Sequence, residues 1–144
     1  MSTRVQITVD CADPATLSQF WADALGYTHP EPPDDYPTWE AFLAANGVPE
    51  SEWNSASAVE DPEGVGPRLF FQRVPEPKAG KNRVHLDLNV SGGREVALSQ
   101  RIPRVRGKVS GLVRSGGRVV AEHEKMSEFW IVMTDPEGNE FCVQ

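Results

Sequence analysis

A short turn sequence occurs twice in this chain, as Asp61-Pro62-Glu63-Gly64 and as Asp135-Pro136-Glu137-Gly138, 74 positions apart. A second pattern recurs at nearly the same offset. Val5-Gln6-Ile7-Thr8-Val9 alternates apolar and polar residues, and so does Val84-His85-Leu86-Asp87-Leu88-Asn89-Val90, 79 positions later. Two unrelated signals repeating at similar offsets indicate an internal duplication, and a duplication constrains the fold before any single element does. At 144 residues the chain has one domain's length, so the halves are modules of that domain. Module one spans 1–77 with an insertion at 30–56, and module two spans 82–144.

Each half reads as strand, helix, then three strands. In the first, Val5, Ile7 and Val9 face one way, and Asp13-Pro14 supplies a cap acceptor with proline at the first helical position. Leu17, Phe20, Trp21, Ala24 and Leu25 form one apolar stripe, and Gly26 stands where a left-handed residue ends a helix. A short strand is expected near 27–29, a second helix opening at Asp35-Tyr36-Pro37 and running through Leu43, and a hairpin pairing 57–61 with 68–74. In the second half the alternation at 84–90 predicts a strand. A helix over 103–115 follows, with Val105, Val109, Leu112 and Val113 inward, then strands at 118–123, 128–134 and 139–143. The expected class is therefore α+β: two tandem β-α-β-β-β modules, forming curved mixed sheets around a trough with the helices on the outer face.

Charge and cysteine content exclude several functions. Net charge is −7, a poor match to nucleic acid, which needs a basic footprint. Arg94, Arg101, Arg104, Arg106, Lys108, Arg114 and Arg118 cluster around the second helix, where a solvated charged face competes with an anion patch. Cys11 and Cys142 offer no disulfide framework and no paired-cysteine zinc motif. The first residues run into a strand without an apolar signal core, and no stretch approaches the ~18–20 apolar residues of a membrane span. A cytoplasmic protein without nucleic-acid or membrane partners is expected.

The residues with chemical potential lie on alternating strand positions. Gln6, His85 and Cys142 all fall opposite the apolar positions of their strands. His85 and Asp87 share one face, either as a general base with its neighbour or as polar lining of a solvated hollow. Cys142 is a nucleophile if a positive neighbour lowers its pKa, and otherwise a small buried filler. His123, between Glu122 and Glu124, reads as a solvated turn at a strand end. Trp39, Phe42 and Trp53 either wall a planar ligand or bury the insertion, and Trp130 is a hollow wall or a dimer contact.

The duplicated pattern, the helix end Phe20-Trp21-Ala22-Asp23-Ala24-Leu25-Gly26-Tyr27 and the segment Asp135-Pro136-Glu137-Gly138-Asn139-Glu140-Phe141 resemble the vicinal oxygen chelate superfamily. That superfamily includes glyoxalases, extradiol dioxygenases, fosfomycin-modifying enzymes and bleomycin-binding proteins. Pro67-Arg68-Leu69-Phe70-Phe71-Gln72-Arg73-Val74-Pro75 and Asn82-Arg83-Val84-His85-Leu86-Asp87-Leu88 are similar to its bacterial glyoxalase-like domain group. The resemblance implies metal-ligand positions at Gln6, Gln72, His85 and Cys142, and it implies a homodimer.

Two amides, one imidazole and one thiol make a poor field for hard octahedral ions, which prefer carboxylates and imidazoles. Zinc accepts His85 and Cys142, with glutamine a weak partner. The favoured expectation is a small-molecule binder without the family's catalytic metal. Gln6, Phe70, Gln72, His85, Asp87, Trp130 and Cys142 are its candidate ligand-binding residues. The alternative is a divalent-metal-dependent lyase, isomerase or dioxygenase of the glyoxalase type, with His85 and Glu140 as the fallback metal pair and His85 as base. A third reading is an accessory dimerisation module without a ligand.

Overall fold

The structure is a computed structural model that describes residues 1–33 and 35–144; Asp34, inside the expected insertion, lies outside the described residues. The chain divides into two compact units, Met1–Pro77 and Lys78–Gln144. No helix among the described residues is long and apolar enough to cross a membrane.

Unit one contains β1 (Ile7–Cys11), α1 (Pro14–Leu25), α2 (Trp39–Ala45), a 3-10 turn (Glu50–Glu52), β2 (Ala56–Val59) and β3 (Leu69–Arg73). Its sheet has the order β1-β3-β2, with β1 parallel and β2 antiparallel to β3. The strand expected at 5–9 is displaced to Ile7–Cys11. Pairing explains the shift, because the ladder opens with Ile7 opposite Leu69. Val5 has no strand opposite it and is 68% exposed rather than inward.

Helix α1 follows its local signals closely. The Asp13 carboxylate accepts from the Thr16 backbone N–H at 3.3 Å, and Gly26 closes the helix in the left-handed region at φ 71°. Leu17, Phe20, Trp21 and Ala24 are buried, and α1 packs on β2 and β3. Burying each of the large side chains contributes roughly 1.5–3 kcal/mol. The fully buried Ser18 hydroxyl is held by Ser57 Oγ at 2.8 Å and His29 Nε2 at 3.0 Å, so the polar atom is satisfied inside the core.

The short strand expected at 27–29 is a single bridge between Thr28 and Glu60. The second helix begins at Trp39, after its Thr38 cap, rather than at 35–37. Its aromatics pack within the insertion. Phe42 meets Tyr36 and Trp39 edge-on, while the Trp39 and Trp53 indoles donate to the carbonyls of Pro30 and Val48.

Unit two contains β4 (Asp87–Leu88), α3 (Leu98–Arg114), β5 (Arg118–Lys125), β6 (Glu128–Thr134) and β7 (Glu140–Val143), with sheet order β4-β7-β6-β5. In both units the first strand lies parallel to the last, and the middle strand pairs antiparallel to that last one. The two Asp-Pro-Glu-Gly turns are also alike: Asp61 accepts from the N–H of Glu63, and Asp135 from that of Glu137. These shared features are the structural form of the duplication.

Three expectations for unit two need correction. The strand over 84–90 reduces to Asp87–Leu88, although the Leu86 carbonyl still accepts from Cys142 of the last strand and the Val90 N–H donates to Gln144 just beyond it. The helix starts at Leu98, five residues before the expected start at 103, and carries Pro103 inside it. Burial of Arg101, Val105, Val109 and Leu112 along one stripe outweighs the proline's missing donor. Val113, expected inward, falls off that stripe and is 47% exposed. The third correction concerns His123, which lies inside β5 rather than in a turn.

Candidate functional site

Alternation divides the sheet of unit two into two chemically different faces. Leu88, Phe129, Ile131, Met133, Phe141 and Val143 are buried. The intervening positions carry His85, Asp87, Asn89, Trp130, Cys142 and Gln144, which line a concavity of about 570 Å³ together with Ser91, Gly93, Arg94, Arg101, Glu128 and Phe129. That volume lies in the range of roughly 300–1,000 Å³ that small-molecule sites occupy.

At the centre, β4 and β7 run parallel with Asp87 opposite Cys142. His85 Nε2 lies 3.4 Å from Asp87 Oδ1. One ligand atom from each of His85, Asp87 and Cys142 falls within 4.8 Å of the others. Burial raises the Cys142 thiol's pKa above its ordinary value, and the Asp87 carboxylate beside it raises it further. A protonated thiol is a poor nucleophile, so this environment opposes the nucleophilic role weighed for Cys142.

Two neighbours extend the site. Trp130 stacks on His123 with ring centroids 5.2 Å apart and an interplanar angle of 23°, giving a flat aromatic surface. Gln144 Nε2 donates to Asn89 Oδ1 at 2.9 Å. The sequence reading missed Asn89, Gln144 and the position of His123. For His123 the missed signal was the alternation of Ala121, His123 and Lys125, which continues once β5 is allowed to reach Lys125.

The concavity's other wall is electrostatic. Arg101 is buried and donates to Glu128 Oε2 at 3.0 Å and to the Ser127 carbonyl at 2.6 Å, while Arg94 meets Glu128 Oε1 at 2.6 Å. These donors hold the Glu128 carboxyl below its ordinary pKa. With Arg106 paired to Glu122, three of the seven basic residues around α3 meet acids of the same sheet, while Arg104 donates to the Ser91 carbonyl and Arg114 to the Ser110 hydroxyl.

The remaining candidates have other partners. Glu140 accepts from the Asn82 N–H at 3.0 Å and pairs with Lys78 at 3.4 Å; those contacts lower its pKa, and it is not one of the three clustered donors. In unit one, Gln6 accepts from Arg68 at 2.7 Å and Gln72 donates to Asp10 at 2.7 Å. Phe70 is half-buried, with the Arg68 guanidinium 5.5 Å from its ring centroid.

Two related units with this strand order define a known architecture. A glyoxalase/bleomycin resistance protein/dioxygenase family enzyme from Burkholderia phytofirmans is 13% identical, with a TM-score of 0.62 over 96% of this chain and 94% of that one. A possible glyoxalase from Bacillus cereus is 14% identical, with a TM-score of 0.60 over 100% and 99%. The fosfomycin resistance protein FosX from Listeria monocytogenes, complexed with Mn(II) and 1S,2S-dihydroxypropylphosphonic acid, is 10% identical, with a TM-score of 0.62 over 100% and 90%. At these identities the likeness is one of fold. No curated protein matches the chain significantly. The glyoxalase-like domain model matches residues 6–144, and the chain belongs to that family.

Manganese in that neighbour raises the question of fit. A hard ion prefers oxygen and imidazole donors. The amides of Gln6 and Gln72 are already hydrogen-bonded within unit one, and the clustered group of unit two includes a thiol. This donor set does not fit a hard divalent ion.

Proposed function

We propose that this chain is a small-molecule-binding protein of the glyoxalase-like type, which takes its ligand in the concavity of unit two without a hard catalytic ion. The observation that carries this reading is the exposed polar group His85, Asp87 and Asn89, which lines a hollow of about 570 Å³ together with Trp130, whose ring is backed by His123. Such a hollow offers a flat apolar surface for part of a ligand and hydrogen-bonding groups to orient the rest. FosX holds a small polyol phosphonate, so the fold accommodates small polar organic molecules. A metal-dependent lyase, isomerase or dioxygenase is the weaker reading, because the donors suit no hard ion.

The test is a thermal-shift screen against metabolites and antibiotics, followed by titration of hits on Trp130→Ala and His85→Ala. We expect a stabilising compound whose affinity falls at least tenfold in both variants. A screen without hits at millimolar concentration, or hits indifferent to both substitutions, removes the proposal.

A further inference from the structure

Strand register orders the polar floor of unit two into rows. Cys142 pairs with Asp87 on one side and Val132 on the other, so these three stand in one row across the sheet. The next row on the same face holds Asn89, Gln144 and Trp130, and the 2.9 Å hydrogen bond from Gln144 to Asn89 agrees with that register. One row further along β6 stands Glu128. At about 3.3 Å per residue, Trp130 lies about 7 Å along the strands from both the Asp87 row and Glu128.

The two ends of this floor differ in charge. Arg94 Nε lies 2.6 Å from one oxygen of Glu128, and an Arg101 nitrogen lies 3.0 Å from the other. Two cations on one carboxylate leave one positive charge in excess. Asp87, the other carboxylate lining the concavity, stands two rows away beside His85. The excess therefore belongs to the Glu128 end alone.

The two guanidiniums also differ in freedom. The Arg101 side chain is 8% exposed and is tied to the Ser127 carbonyl as well, whereas that of Arg94 is 86% exposed. Gly92 and Gly93, both with positive φ, turn the chain just before Arg94, and Gly93 lines the concavity. Arg101 can thus keep Glu128 neutralised while Arg94 changes partner, at little cost because exposed ion pairs contribute little.

We propose that the ligand of this concavity is a planar aromatic acid, with its ring against Trp130 and its carboxylate or phosphate held by Arg94. The assignment rests on the reading of the concavity as a small-molecule site and adds the chemical class of the molecule. A guanidinium grips either oxyanion through two parallel charge-assisted hydrogen bonds. Trp130, backed by His123 with ring centroids 5.2 Å apart, supplies the flat surface one row away.

Calorimetric titration of the full chain with three probes tests this: 3-phenylpropanoate, its neutral amide 3-phenylpropanamide, and phenyl phosphate. At least one of the two acids should bind at least fivefold more tightly than the amide, and the tighter one identifies the preferred oxyanion. High salt should weaken the acid and leave the amide unchanged. Arg94→Gln, an exposed substitution, should weaken the acid at least fivefold, leave the amide within twofold and preserve the circular dichroism spectrum. Equal affinity for acids and amide overturns the assignment. So does an Arg94→Gln variant that binds the acid as the wild type does, or failure of both acids to bind at millimolar concentration. In each of these cases a neutral compound that loses affinity in Trp130→Ala and His85→Ala leaves the small-molecule site standing, so the two failures are distinguishable.

Discussion

Asp13 shows how one side chain can fix the entry to a helix. Its carboxylate accepts from the Thr16 N–H at 3.3 Å, the Thr16 hydroxyl at 2.6 Å and the Asn54 amide at 2.8 Å. Asn54 in turn accepts from the Ala15 N–H at 2.8 Å, so the segment before β2 is tied to the first turn of α1. These donors, the Thr16 side chain foremost, hold the Asp13 pKa below its ordinary value of 3.8. The folded state therefore binds that proton more weakly than the unfolded state. The stabilisation is complete above the unfolded value and is lost as pH falls through the lower, folded one. Asp13→Ala should lower stability by about 1 kcal/mol near neutral pH, as capping residues typically do. Urea denaturation as a function of pH checks both parts: the difference from wild type should shrink once the pH drops below 3.8. A gap that stayed constant down to strongly acidic pH would show that the ionised carboxylate is not its source.

Among the elements, the β5–β6 hairpin is the one whose turn residues fit poorly. Met126 and Ser127 both have positive φ, at 52° and 60°, between the paired residues Lys125 and Glu128. A two-residue loop of this kind favours Asn-Gly, since most side chains resist that conformation. Arg101 of α3 holds the turn by donating to the Ser127 carbonyl and to Glu128. Replacing the pair with Met126→Asn and Ser127→Gly should stabilise the protein by about 1 kcal/mol, seen as a rise of a few degrees in Tm. No gain would mean that Arg101 and the strand pairing already absorb the strain. The same comparison of local and distant forces explains what could be read in advance. The ends of α1 were legible because Asp13-Pro14 and Gly26 act within their own turns. The start of α3 was not, because Pro103 looks like a first helical residue while the burial of Arg101 is a tertiary fact. Alternation placed His85, Asp87 and Cys142 on polar strand faces. Their clustering depends on β4 lying beside β7 in a particular register, a non-local pairing that no local pattern specifies.

The duplication gives the molecule two sheets of common strand order whose exposed residues have diverged in chemistry. On the sheet of unit one, Gln6 is engaged by Arg68 and Gln72 by Asp10, so those amides already have polar partners within their own unit. On that of unit two, the thiol, imidazole and carboxylate form a compact group beside an aromatic stack. A duplicated fold permits this division, because each sheet is supported by its own helix and core, and the polar residues of either can change without loss of that packing. If the ligand belongs to unit two, the amides of unit one are dispensable for binding it. The double variant Gln6→Ala/Gln72→Ala should therefore bind a compound found by the thermal-shift screen with affinity within about twofold of the wild type, whereas Trp130→Ala and His85→Ala lose at least about tenfold. Calorimetric titration of the proteins side by side makes the measurement. An equal, tenfold loss in the double variant would remove the assignment of the ligand to the polar face of unit two.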